Sequence, residues 1–148
     1  NYYRNNYGIV MQDKKRLYVL TEGQKLFNIT DRIRSFVSSS KINDGLLNIS
    51  ILHTSASLLI QENADSDVQN DLLNFLDKLV PMNKDLYIHN EEGKDDMPAH
   101  IKSALTQSNL TITVEDKNLI LGVWQGIYLF EHRIDPQKRT VLVHLIGE

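Results

Sequence analysis

The chain has 148 residues, with 16 basic and 19 acidic side chains, a net charge of −3 and no cysteine. That length fits one domain with a proper core. The charge balance, with no basic face, argues against nucleic acid as a partner. The short apolar runs exclude a helical bilayer span, and the missing thiols exclude disulfides and leave any metal ion to histidine, carboxylate and water.

Residues 1 to 14 are polar and tyrosine-dotted, and read as an N-terminal arm ahead of a single domain over 15 to 148. The segment Asn1 to Gln12 lacks the apolar stretch of a signal peptide, so the expectation is a cytoplasmic protein with no membrane partner, although a chain without an initial Met can be trimmed upstream. Arg16 to Thr21 and Gln24 to Asn28, parted by Glu22-Gly23, predict a hairpin. Thr30 suits an N-cap, and Ile33, Phe36 and Val37 follow at helical spacing until Ser38-Ser39-Ser40. Asn43-Asp44-Gly45 turns the chain into a strand from Leu46 to His53, with Leu47, Ile49, Ile51 and His53 on one face.

Ser57 to Gln61 continues extended, and Ser66 with Gln69 forms a capping box before a helix whose stripe is Val68, Leu72, Phe75, Leu76 and Leu79. Pro81 ends that helix. Asp85 to His89 predicts a short strand, then an acidic loop, then a helix with Pro98 at its first position and Ile101, Ala104 and Leu105 on its apolar face. Asn109 to Val114 and Asn118 to Glu131 predict strands joined through Glu115-Asp116-Lys117, and Thr140 to Ile146 a last strand with Val141, Val143 and Leu145 on one side. This order argues for α+β rather than a parallel βαβ repeat.

In the long strand the odd positions Leu119 to Ile127 and Leu129 end on Glu131, which places a carboxylate on the core side. A buried carboxylate without a partner costs several kcal/mol, so something must answer Glu131. The neutral histidines His53, His89 and His100, each placed where one element meets the next, are the candidates, holding a cation between them. Taken singly, His53 also fits a hydrogen-bonded core residue and His89 a surface histidine beside carboxylates. His100, in the first turn of a helix, is kept neutral by the dipole and is therefore able to ligate. Asp67, Asp71, Asp95 and Asp96 fit capping or solvent, and His132 and His144 fit plain strand positions. Asn63 and Asp65 would face a pocket from their loop. No phosphate-binding loop, dinucleotide motif or nucleophile elbow is present.

The ordered set His53-Thr54-Ser55-Ala56, Glu62-Asn63-Ala64-Asp65-Ser66-Asp67-Val68, Ala99-His100-Ile101-Lys102 and Gly122-Val123-Trp124-Gln125 with its strand ending at Glu131 resembles the YjbQ-like family, also labelled secondary thiamine-phosphate synthase. The resemblance covers nearly the whole chain. It implies an α+β fold, a β-sandwich of about seven strands with two main helices, assembled as a homotrimer. It also implies a site near subunit contacts built from the matched histidines and Glu131. The implied activity is that of a transferase joining hydroxymethylpyrimidine diphosphate to thiazole phosphate. The alternatives are a non-catalytic trimeric metal- or anion-binding protein and a metal-dependent hydrolase. Two departures stand out: Val123 replaces a common Thr, and His132-Arg133-Ile134-Asp135 replaces a Phe-Asp-Gly-Pro type of turn, which leaves Arg133 without an expected role.

The expected site therefore places His53, His89, His100 and Glu131 around a divalent metal, Zn²⁺ from the imidazoles or Mg²⁺ from phosphate oxygens. His53, Glu131 and Arg139 would be catalytic, with Arg139 neutralising a departing diphosphate. Thr54, Ser55, Asn63 and Asp65 would bind a small phosphorylated heterocycle, Trp124 stacking on it and Gln125 reading its edge; a core Trp124 at a bulge beside Gly122 and Gly126 is the competing reading.

Overall fold

The computed structural model describes residues 10–148. Among the described residues eight strands form two sheets, with three α-helices and one 3₁₀ turn. In chain order they are β1 (Met11–Thr21), β2 (Lys25–Asn28), α1 (Thr30–Ser39), β3 (Gly45–Ile51), β4 (Ala56–Glu62), α2 (Ser66–Leu79), the 3₁₀ turn Lys84–Leu86, α3 (Asp96–Leu105), β5 (Asn109–Glu115), β6 (Asn118–Leu119), β7 (Gln125–Glu131) and β8 (Gln137–Gly147). The larger sheet runs β1-β8-β3-β5-β6 and the smaller β2-β7-β4. Among the described residues no helix is long and apolar enough to cross a membrane.

Strand alternation builds the sandwich. Leu17, Leu47, Ile49, Ile112, Val141, Val143 and Leu145 face inward from the larger sheet and meet Ala56, Leu58, Ile127 and Leu129 of the smaller one, with Ile33, Phe36 and Val37 of α1 completing the core. The even residues of β7, Tyr128 and Phe130, pack outward with Leu26 beneath Leu73 and Leu76 of α2. Central strand β7 is thus buried on both faces from Gly126 to Glu131, which explains its unbroken apolar run.

Several expectations change. Residues 16–21 and 24–28 are not a hairpin: β1 pairs with β8 and β2 with β7, because Gly23, at φ +82°, turns the chain from one sheet to the other. Strand β1 takes in Met11 to Lys14, assigned above to the arm, and of the rest of that arm residues 1–9 lie outside the described residues. The cap of α2 is Asp65, whose side chain accepts from the Asp67 amide, and not Ser66. Its expected apolar stripe is partly surface, Phe75 being 62% and Leu79 56% exposed. Residues 85–89 form a 3₁₀ turn and irregular chain, not a strand.

Helix α3 starts two residues before Pro98, still among positions whose amide has no partner within the helix. Its buried face is Pro98, Ala99 and Lys102 rather than Ile101, Ala104 and Leu105. The expected strand 118–131 breaks between β6 and β7, where the Gln125 side chain accepts from the Gly122 amide in a tight turn.

Candidate functional site

Glu131 lies at the end of β7 with no exposed surface, as its alternation requires. Its partner is an arginine. Arg139 of β8 donates from Nε to Oε1 at 2.7 Å and from Nη2 to Oε2 at 2.6 Å, and Thr21 donates to Oε1 at 2.5 Å. The backbone amides of His132 and Arg133 also reach Oε2. Both carboxylate oxygens are thereby satisfied, and Arg139 Nη2 also meets the carbonyl and hydroxyl of Ser55. The expected gathering of imidazoles around Glu131 is not what the chain shows, because Arg139 supplies a permanent charge at bidentate geometry where histidine supplies none.

Two of the three histidines gather elsewhere, on Asp96. His89 Nε2 lies 2.7 Å and His100 Nε2 3.2 Å from the same oxygen, Oδ2, and the two rings meet edge to face with centroids 5.7 Å apart. The three ligand atoms all lie within 4.8 Å of one another. Asp96 is buried in the first turn of α3, and Arg133 binds its other oxygen at 2.6 Å while also donating to Asp95. Burial opposes ionisation of Asp96, but the hydrogen bond to His89 and the charges of His100 and Arg133 outweigh it and hold the carboxyl below its ordinary pKa. Asp95 is held low in the same way, against burial, by the Ile134 amide and Arg133.

The donor set fits a cation, and a backbone contact orients it. His100 Nδ1 lies 3.0 Å from the Thr54 carbonyl, which can only accept, so Nδ1 carries a proton. Nε2 is then the ring atom turned to the Asp96 carboxylate, a donor when the ring is protonated and a lone pair when it is not. Two lone pairs at 3.2 Å repel unless a positive centre, a proton or a metal ion, lies between them. A carbonyl fixing the tautomer of a ligating histidine is the usual supporting contact in such sites, and two imidazoles with one carboxylate suit a transition ion such as Zn²⁺.

His53 stands apart from this cluster. Its Nε2 accepts the Thr140 amide at 2.8 Å, which leaves the proton of the neutral ring on Nδ1. Burial and the nearby Arg139 charge lower its pKa, outweighing Glu131, so the ring is neutral and offers an N–H rather than a lone pair. It is a donor in this chain, not the metal ligand expected. His53 and His100 nevertheless line one cavity of about 340 Å³ with Thr54, Ser103, Ala104, Thr106 and Ser108.

The remaining candidates lie at the far end of the same strands. Ala56 pairs with Glu131 but Glu62 with Gln125, six steps along β4 and β7, or about 20 Å. There the Asn63 amide donates to the Trp124 carbonyl at 3.1 Å and Asp65 caps α2. Trp124 is 63% exposed and so not core. Within one chain the expected binding set thus divides into His53, Thr54 and Ser55 at one end and Asn63, Asp65, Trp124 and Gln125 at the other. Asp96 and Arg133 were missed as site residues, since an acid before a helix and an arginine in an unfamiliar turn both have ordinary explanations. The signal available was the i, i+4 spacing of Asp96 and His100 in one helix, which puts both on one face.

A two-sheet α+β protein with a paired-histidine carboxylate cluster beside a hydroxyl-lined cavity is the class that this geometry defines. The family described as UPF0047 protein YjbQ-like matches residues 15–148, and the chain belongs to it. It is 47% identical over 137 residues to a UPF0047 protein of Synechocystis, covering 93% of each chain. It is 38% identical to YjbQ of Escherichia coli O157:H7, covering 91% of this chain and 98% of that one. Among solved structures, a conserved hypothetical protein of Thermus thermophilus superposes with a TM-score of 0.79 at 36% identity, covering 88% of this chain and 98% of that one. A YjbQ-like protein of unknown function from Sulfolobus solfataricus P2 shares the fold, with a TM-score of 0.86 at 24% identity over 94% of this chain and 99% of that one.

Proposed function

We propose that this chain holds a divalent cation on His89, Asp96 and His100, and uses the adjoining cavity to bind the anionic group of a small phosphorylated substrate. The observation that carries this reading is the convergence of His89 Nε2 and His100 Nε2 on one oxygen of the buried Asp96, with His100 Nδ1 fixed on the Thr54 carbonyl. When bound, the ion supplies positive charge next to the cavity, the requirement of a departing diphosphate. The chain's own residues do the rest. Asp96 anchors the ion and is itself oriented by Arg133, while His53 Nδ1–H and the Thr54 hydroxyl donate to phosphate oxygens. Arg139, paired with Glu131, holds Ser55, the residue after cavity-lining Thr54, by its carbonyl and hydroxyl rather than contacting substrate.

The finer reading is a transferase that condenses hydroxymethylpyrimidine diphosphate with thiazole phosphate. The exposed Trp124 would stack on the heterocycle from a second copy of the chain, and a homotrimer is the assembly that would bring the two separated ends together. The experiment is a cobalt titration followed by an assay with both heterocycles. Absorbance of a histidine-bound ion that disappears in Asp96→Asn and His100→Ala, with thiamine phosphate formed by the loaded protein and lost in His53→Ala, is the expected result. Equal cobalt binding in all three proteins would reject the cation site. Binding without turnover would leave a metal- or anion-binding module.

A further inference from the structure

Behind the cavity wall lies a buried polar chain that neither the cation cluster nor His53 explains. Thr106, at the C-terminal cap of α3, lines the cavity. Its Oγ1 lies 2.6 Å from Ser57 Oγ, and Ser57 Oγ lies 2.8 Å from His132 Nε2. Ser57 is fully buried and His132 only 1% exposed, its ring tilted against Phe130 at 4.4 Å. Apolar residues would fill this layer at no desolvation cost, so three linked polar groups in it call for a use.

The direction of the chain turns on its outer end, where the Thr106 hydroxyl faces two acceptors, Ser57 Oγ and the Lys102 carbonyl. Thr106 Oγ1 is also 2.9 Å from the Lys102 carbonyl, which can only accept. One hydroxyl has one proton, so with that proton turned outward the short Thr106–Ser57 contact is made by the Ser57 hydroxyl. Ser57 in turn accepts a hydrogen bond from His132 Nε2–H. His132 is then the first donor, Ser57 and Thr106 each give one bond and receive one, and the Thr106 proton is the terminal one, free to leave the Lys102 carbonyl for an acceptor in the cavity. Burial holds the His132 ring neutral, with its pKa lowered to about 3, so the polarity of the chain survives ordinary changes of pH.

We infer that Thr106 is a substrate-binding donor of the cavity, aimed and strengthened by Ser57 and His132, and that it selects a ligand presenting an anionic oxygen there. This deepens the anion reading of the cavity and rests on it. Donation to a charged acceptor gains strength when the donor is itself a hydrogen-bond acceptor, which is what the inner two residues provide.

The test uses the full chain with ¹⁵N-labelled histidine and inorganic phosphate as the probe. The ring nitrogens of His132 should show the Nε2–H tautomer in the ligand-free protein; the Nδ1–H tautomer would overturn the inference without any variant being made. Phosphate should shift the His53 and His132 ring signals together. Thr106→Val should weaken phosphate binding about tenfold or more, the value of a hydrogen bond to a charged group, and Thr106→Ser should restore it. Ser57→Ala should fall between them. Wild-type affinity in Thr106→Val, with His53→Ala still weakened, would overturn the role of Thr106 and leave the anion cavity standing. A wild-type chain whose His53 ignores phosphate would remove the cavity reading and this inference together.

Discussion

At the scale of single residues the chain contains two buried acids with opposite assignments. Glu131 is matched by Arg139 at bidentate geometry and further held by Thr21 and two amides. Asp96 gives one oxygen to Arg133 and turns the other toward two imidazoles. Glu131→Gln should therefore cost about 3–5 kcal/mol, because it strands a buried guanidinium, yet leave cobalt binding intact. Asp96→Asn should do the reverse, removing the ion while costing about 1–2 kcal/mol, since Arg133 keeps Asp95. Urea unfolding beside a metal titration separates the two, and loss of metal in Glu131→Gln would mean that the clusters are one site. That Glu131 faces the core was legible from strand alternation alone. Its partner was not, because alternation also carries Arg139, Val141 and Val143 inward without ranking an arginine above a distant histidine. The same limit hid Asp96, whose neighbours come from three separate stretches of chain.

At the scale of elements, helices α2 and α3 are joined by an asymmetric ion pair. Lys102 Nζ reaches Asp77 Oδ1 at 2.5 Å, with the lysine side chain 4% and the aspartate 48% exposed. Removing the aspartate leaves a cation away from water; removing the lysine leaves a carboxylate that water can reach. Asp77→Ala should cost about 3–5 kcal/mol and Lys102→Met less than about 1.5 kcal/mol, as read from denaturation midpoints. Equal losses would mean that Lys102 finds another acceptor.

The β5–β6 turn offers a second check. Asp116 and Lys117 have φ of +47° and +61°, held by the Asp44 side chain and the Asn43 carbonyl. A lysine in the left-handed region costs about 1–2 kcal/mol, of which glycine returns part to chain entropy. Lys117→Gly should thus raise stability by up to about 1 kcal/mol, seen as a higher melting temperature. Most strands and helices were legible because their apolar periods are intact, as in β3, α1 and β8. Pairing was not: Glu22-Gly23 has the composition of a hairpin turn, yet it carries the chain between sheets, a choice made by β7 and β8, which arrive about a hundred residues later. The break before β7 was missed because Leu119, Leu121 and Val123 continue the alternation across a turn closed by the Gln125 side chain.

For the molecule as a whole, the polar end of the sandwich is where pH acts. The His132 ring is held near pKa 3 by burial first and then by the Lys102 and Arg139 charges, whereas an unfolded histidine titrates at about 6.5. Above that value neither state takes the proton, and this ring makes stability independent of pH. Below it the unfolded chain is protonated and the folded one is not, so stability falls as pH drops from about 6.5 toward about 3, at no more than about 1.4 kcal/mol per unit for one group. His53, also lowered, acts in the same direction. Asp95 and Asp96 are depressed carboxyls, so their contribution is present above the unfolded carboxylate range and is lost only as pH falls through their lower folded values, a window beneath that of the histidines. Between pH 7 and pH 5 the free energy of unfolding should consequently drop by about 2 kcal/mol, and His132→Gln should flatten that slope even where it lowers stability overall. Urea melts at half-unit steps would measure it, and a wild-type slope unchanged by the substitution would show that His132 accepts its proton while folded.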